Sequence, residues 1–509
     1  MPDDQNDVIA FLETSGSYDS GVTEVKRADT HCAVVFLAGD RAYKLKKSVR
    51  FSYLDFSTPE KRKTACEAEI ALNTRTTPGL YIGLRALGRR TDGTIVWDAP
   101  EPFDWVIEMK RFPDGALLAE LADRGLLDDS LCGRLADRIA DHHDHAPVAV
   151  KSGGGGAVRH LIAGIGTALD DAGSGILGRT AIDGTIAALD EEAARQGALL
   201  DSRAATGHVR HCHGDLHLRN ICMFEGEPTL FDALEFDPDL ATIDVLYDLA
   251  FLLMDLEQRG LARQSSIILN RYLDRRDEQD GLPLLPLFAA MRAAIRAYTA
   301  AAAGASQTAR DYLGHAAQCL RREAPVLIAI GGLSGSGKSS LGRNLAPLAG
   351  AIGGARRLSS DVVRKRLAGA ESPETRLDPD HYTPAASAIV YETLCSQAAR
   401  LLASSINVIC DAVYARPAER DAIEAAASGL GIPFVGIWLE APPETLATRI
   451  EQRYGDPSDA TVDVLRQQLG YSLGTLTWRR IGAGGTSAEV AAAAAALIPA
   501  ACRREFVAL

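Results

Sequence analysis

The chain lacks any apolar run long enough to cross a bilayer. Its longest, Val490–Cys502, is alanine-rich and broken by Pro499, well short of the ~20 residues a spanning helix needs. It also lacks paired cysteines. The nine present are odd in number and form no CxxC. Cys212 and Cys222 have no partner at a metal-ligand spacing, so all nine read as reduced thiols in a reducing compartment. Basic charge is not in excess: the net charge is −13, which argues against a general nucleic-acid or anionic-membrane partner. Residues Met1–Asp7 carry neither a basic nor an apolar leader segment, so a cytoplasmic location is expected. No internal repeat is found.

What is present is an ordinary globular balance, 47% hydrophobic and 24% charged over 509 residues. At about 150 residues per domain this predicts two or three folding units. Val34–Leu37 and Ala42–Leu45, joined by a turn at Ala38–Arg41, read as a hairpin. Thr58-Pro59 is an N-cap followed by proline at the first helical position, and predicts a helix to about Asn73. Strand-like pieces follow at Thr94–Trp97 and Trp105–Met109. From Gly115 the pattern is helical, with a flexible loop expected at the four glycines Gly153–Gly156. A new start at Ala324-Pro325, before the apolar run Val326–Ile330, marks a domain boundary. It divides the chain into 1–322 and 323–509.

Two segments carry chemistry. In the C-terminal part Gly332-Leu333-Ser334-Gly335-Ser336-Gly337-Lys338-Ser339 fits G-x-x-x-x-G-K-[ST] between a buried strand and a helix from Ser340. Backbone N–H groups there turn inward on phosphate oxygens, Lys338 reaches the β- and γ-phosphates, and the Ser339 hydroxyl suits Mg²⁺. Asp361, about twenty residues on, is placed to accept a hydroxyl proton, and Arg364 to hold an anionic part of a substrate. Asn407–Asp411 ends a buried strand in a carboxylate, so Asp411 is a second Mg²⁺ ligand. Arg449 and Arg453 are four apart on a helix and can face one phosphate. Surface pairing with Glu444 and Glu451 accounts for them equally well.

The N-terminal part contains His213-Gly214-Asp215, Asn220 and, at a strand end, Asp232. An aspartate followed five residues later by asparagine, then a second aspartate, is a phosphotransfer spacing. Asp215 deprotonates the acceptor hydroxyl, and Asn220 and Asp232 hold Mg²⁺ on the nucleotide. His211, His213 and His217 also invite a zinc reading, which the catalytic loop makes unnecessary. Asp141-His142-His143-Asp144-His145 reads as a helix end, where histidines favour the dipole.

With these motifs the first part resembles the aminoglycoside phosphotransferase family, a branch of the protein-kinase-like fold, over about residues 20–320. Tyr247-Asp248-Leu249-Ala250 matches its structural aspartate. The resemblance implies an α+β domain of two lobes, about 1–108 and 109–322, with a strand lysine paired to a helix glutamate. Lys44 fits the lysine. Lys46, on the same side by the period of two, is the alternative. Of Glu67 and Glu69, Glu69 falls in the apolar stripe of its helix and is chosen. The linking segment would offer ATP the backbone of Glu108 and Met109. The family's glycine-rich loop has no counterpart before Lys44, where Thr30–Ala33 stands.

The second part resembles the P-loop kinases that include gluconate, polynucleotide and zeta-toxin-like kinases. This implies an α/β domain with a parallel sheet and a lid around Arg449–Asp459. Together the two parts predict two ATP- and Mg²⁺-dependent kinase sites for hydroxyls of sugars, aminocyclitols or nucleosides. One competing reading makes the first domain a nucleotide sensor for a P-loop kinase. Another makes the second a nucleic-acid end kinase, which the acidic charge disfavours.

Overall fold

Alternation in Arg41–Lys46 decides the architecture of the first half. Tyr43 and Leu45 are buried in one apolar cluster with Val34, Phe36 and Val106. Ala42 belongs to another, with Cys66, Tyr81 and Ile107. Lys44 and Lys46 share Ala42's side of the strand by the period of two. The sheet is antiparallel, in the order Val25–Asp29, Ala33–Ala38, Arg41–Lys46, Pro102–Lys110, Tyr81–Arg89, Ile95–Trp97. The helix Pro59–Asn73 starts as its sequence predicts: Thr58 Oγ1 accepts from Lys61 N and Pro59 is first.

The computed structural model describes residues 5–19, 21–51, 54–75, 77–149, 152–452 and 458–504. These form two compact units, 1–154 with 202–252 and 155–201 with 253–509. The boundary expected at 322/323 therefore falls inside the second unit. Buried polar bonds account for this. Asn270, on the helix Ala262–Arg275, donates to Ala355 O at 3.1 Å and accepts from Arg357 N at 2.7 Å. Arg356 Nε donates to Gln279 at 3.1 Å. Such groups sit in a core only when paired.

The expected loop at Gly153–Gly156 is also corrected, because the helix Gly154–Leu177 begins there. A side chain at Gly155 would lie 3.5 Å from Gly197 Cα, and Gly155 N donates to Asp201 Oδ1 at 2.8 Å. Just before the helix, Gly153 has φ +87° and a Cβ there would meet Val209 Cγ2 at 2.7 Å, so backbone conformation and close packing explain a glycine here.

The second unit holds a wholly parallel sheet in the order Arg356–Ser359, Val408–Asp411, Leu327–Gly331, Phe434–Glu440, Arg479–Gly482. Its central strand is buried throughout, as a parallel sheet covered on both faces requires. The strand ends deliver the phosphate loop, Ser359 and Asp411 to one edge. Among the described residues no helix is long and apolar enough to cross a membrane.

Candidate active sites

In the first unit the two strand lysines share one glutamate. Lys44 Nζ meets Glu69 Oε1 and Lys46 Nζ meets Glu69 Oε2, each at 2.7 Å. Glu69 is completely buried. Burial resists its ionisation, but Lys44 and Lys46 prevail and hold the carboxyl down to about 2. Glu67 instead pairs with Lys63 on the exposed side of the helix. Lys44 also reaches Asp232, and Lys46 reaches Glu235. Burial disfavours the Lys44 charge, yet Asp232 and Glu69 keep its pKa well above the ordinary value.

The catalytic loop is hung on Asp248, which lies fully buried on the helix Val245–Gln258. It accepts from His213 N at 3.1 Å, Gly214 N at 2.9 Å and His143 Nε2 at 3.2 Å. Burial raises its pKa, but the histidine partner brings it to about 2. Gly214 has φ +81°, and a Cβ there would stand 3.0 Å from Leu234. His213 Nε2 donates to Phe231 O at 3.0 Å and its Nδ1 accepts from Asp215 N at 3.3 Å. These bonds turn the strand end so that Asp215 and Asn220 meet: Asn220 Nδ2 donates to Asp215 Oδ2 at 2.8 Å. Asn220 Oδ1 is the acceptor end of the same amide, and it and the Asp232 carboxylate are oxygen donors of the kind that fit Mg²⁺.

His143, Cys212 and Asp248 are the described residues that could group around a metal. Asp248 already serves the loop amides, so this cluster acts as a structural hub. Glu108 and Met109 lie in Pro102–Lys110, which has ladder partners on both edges. The Glu108 carboxylate faces Tyr43, Arg41 and Arg85.

In the second unit the phosphate loop leads into the helix Lys338–Leu345. Lys338 Nζ donates to Gly332 O at 2.9 Å and Leu333 O at 3.0 Å. Gly335 has φ +80°, and a Cβ there would come within 2.5 Å of Leu446 O. Ser339 Oγ and Ser359 Oγ donate to Asp411 Oδ1 at 3.4 and 3.1 Å. Asp411 Oδ2 is buried and has no hydrogen-bond partner among the described residues. Burial pushes the Asp411 pKa up. An orphaned carboxylate oxygen beside a serine hydroxyl fits a Mg²⁺ ligand pair.

A cavity of about 570 Å³ is lined by Ser334, Gly335, Gly337, Lys338, Ser339 and Ser340 together with Asp361, Arg364, Asp411 and Arg449. Ser336 Oγ is buried in the loop. Arg364 donates to His381 O at 2.6 Å and stacks on the Tyr382 ring at 4.8 Å. Arg449 donates to Ala483 O at 2.8 Å, not to the glutamates. Arg453 lies outside the described residues.

Several lining groups have no signature in the sequence. Gln468 Oε1 accepts from Ser334 N at 2.8 Å in the phosphate loop. Asp459 accepts from Lys365, Tyr382 and, at 3.3 Å, Leu377 N. Tyr391 and Glu419 complete the wall.

Comparisons with known proteins place the two halves of the chain in known families. Residues 114–285 match the model of the phosphotransferase enzyme family, and residues 327–472 match an AAA domain model. An uncharacterized protein of Mycobacterium tuberculosis is 31% identical over 449 residues, 86% of this chain and 88% of its own length. A Mycobacterium bovis protein matches with the same values. Among solved structures, a gluconokinase from Sinorhizobium meliloti is 24% identical, covering 35% of this chain and 92% of its own, with TM-score 0.25. The GDP complex of wild-type aminoglycoside 2'-phosphotransferase-IIIa is 14% identical, covering 62% and 99%, with TM-score 0.39.

Proposed function

The chain belongs to the family of the 31%-identical mycobacterial proteins, a phosphotransferase domain joined to a P-loop kinase-like domain, and on that premise we propose a two-site ATP-dependent kinase of small-molecule hydroxyls. The acceptors are of sugar, aminocyclitol or nucleoside type. One observation supports this reading above the rest: each unit joins a lysine to its own set of oxygen ligands and to an aspartate. In the first, Lys44 pairs with Asp232 and Asn220 with Asp215, and Phe231 N, next to Asp232, donates to Asn220 O at 3.0 Å. Lys338, Ser339, Asp411 and Asp361 line one cavity in the second.

In each site the aspartate, Asp215 or Asp361, orients the acceptor O–H and takes its proton. The oxygen bonds to the γ-phosphorus as the bond to the bridging oxygen breaks, leaving a phosphate ester and ADP. Lys44 or Lys338 holds the phosphates in line. Asn220 with Asp232, and Ser339 with Asp411, would hold Mg²⁺, which neutralises charge on the phosphate oxygens when bound. Arg364 orients the acceptor in the second site.

The test is ATP consumption by the full chain over a panel of sugars, aminocyclitols and nucleosides. Asp215→Ala and Asp361→Ala should each lower turnover of one acceptor, or of one step on a shared acceptor, by roughly 10²–10⁴-fold. If Lys338→Ala abolishes turnover of every acceptor and Asp215→Ala matches wild type on all of them, the first unit is a nucleotide sensor instead.

A further inference from the structure

The backbone N–H of Ser334, the third residue of the phosphate loop, already has a partner: it donates to Gln468 Oε1 at 2.8 Å. A backbone N–H can only donate, so the Gln468 amide turns its oxygen to the loop and its Nε2 donors the other way. Gln468 is 8% exposed, and its Nε2 has no hydrogen-bond partner among the described residues. The residue lines the cavity shared by Lys338, Asp361 and Arg364. Side chains this buried are paired as a rule. Here two N–H donors are left for whatever fills the cavity.

Packing fixes this orientation. The helix Val462–Leu469 is capped by Thr461, whose Oγ1 accepts from Val464 N at 3.4 Å. Leu465, three residues before Gln468 and on the same face, is buried in a cluster with Leu446 and Ile450, against which Leu333 of the loop packs. The loop is therefore joined to this helix by an apolar contact and, one residue on, by the Gln468 bond. Place along the loop also matters. Ser336, Gly337 and Ser340 line a further cavity of about 220 Å³ in which Ser334, Gln468 and Asp361 take no part. Ser334 and Gln468 stand at the end of the loop that shares its cavity with Asp361.

We propose that Gln468 binds the γ-phosphate in the second site: Nε2 donates to the phosphoryl oxygens while Oε1 holds the loop through Ser334. The inference rests on the phosphotransfer reading of that site. It gives the two ends of one amide separate tasks, and a carboxylate separates them. Glutamate keeps an oxygen for Ser334 N, but it has no donor and turns negative charge toward the phosphate.

The test is calorimetry on the full chain carrying Lys44→Ala, which silences the first site, with ADP and with a non-hydrolysable ATP analogue, each with Mg²⁺. The two ligands differ in the γ-phosphate. Adding Gln468→Met should weaken the analogue about tenfold, the effect of one hydrogen bond to a charged group, and leave ADP within about threefold. Gln468→Glu should weaken the analogue more than Gln468→Met does, with ADP again within about threefold of the parent. A glutamine that only seats the loop gives another pattern: Gln468→Glu binds both ligands as the parent does, and Gln468→Met loses both alike. Either half of that pattern, or parent-like affinity for the analogue in Gln468→Met, overturns the inference. A Lys44→Ala parent that binds neither nucleotide is a different result. It overturns the phosphotransfer reading of the second site and the inference with it.

Discussion

His142 is buried, and neither ring nitrogen has a hydrogen-bond partner among the described residues. Burial lowers its pKa to about 3 from the ordinary 6.5. Below pH 6.5 the unfolded chain therefore takes up a proton that the folded unit refuses, and stability falls as pH drops toward 3. Urea midpoints at pH 7 and pH 5 should show this loss in the wild type and a smaller loss in His142→Phe. Equal losses would contradict it. Glu69 acts in the same direction at lower pH: its depressed pKa stabilises the fold above about 4.5, and that contribution disappears as pH falls toward 2. At this scale much was legible. A period of two puts Lys44 and Lys46 on one side, and a period of 3.6 turns Glu69 inward. That Lys46 also meets Glu235 was not legible, because Glu235 lies 189 residues from it. Nothing local in either segment encodes that pairing.

Among the elements, the phosphate loop and the helix Pro59–Asn73 were readable because their signals are local: a fixed motif, and a cap followed by proline. Gly335→Ala forces a side chain into a left-handed backbone, costing on the order of 1–2 kcal/mol, and into the Leu446 carbonyl. ATP binding at the second site should fall about tenfold or more; retained affinity would refute the packing described. Thr58→Ala should cost about 1 kcal/mol in the unfolding of the first unit, through the lost cap of the Glu69 helix. The helix Ala262–Arg275 shows the limit of local signals. Its amphipathic pattern predicts a helix, but no local signal marks Asn270, which is buried against the backbone of Ala355 and Arg357. Asn270→Ala leaves those groups unpaired and should cost about 1–3 kcal/mol in the second unit. A change under a few tenths would contradict the bonding.

For the whole chain, the two resemblances foretold the fold class, a kinase-like α+β unit and an α/β unit with a parallel sheet, and the family comparisons agree. The compact units were less legible. The new start at Ala324-Pro325 marks where the parallel sheet begins, whereas the compact unit that holds the sheet also includes 155–201 and 253–322. The cavity wall of the second unit is drawn from separate elements, Tyr391, Glu419 and Gln468 among its residues, and spacing motifs do not encode it. The central claim is that one chain carries two independent nucleotide sites. Calorimetric titration with a non-hydrolysable ATP analogue and Mg²⁺ tests it most directly. The account predicts two sites per chain in the wild type and one each in Lys44→Ala and Lys338→Ala. A single site in the wild type, lost in Lys338→Ala and untouched in Lys44→Ala, would contradict it.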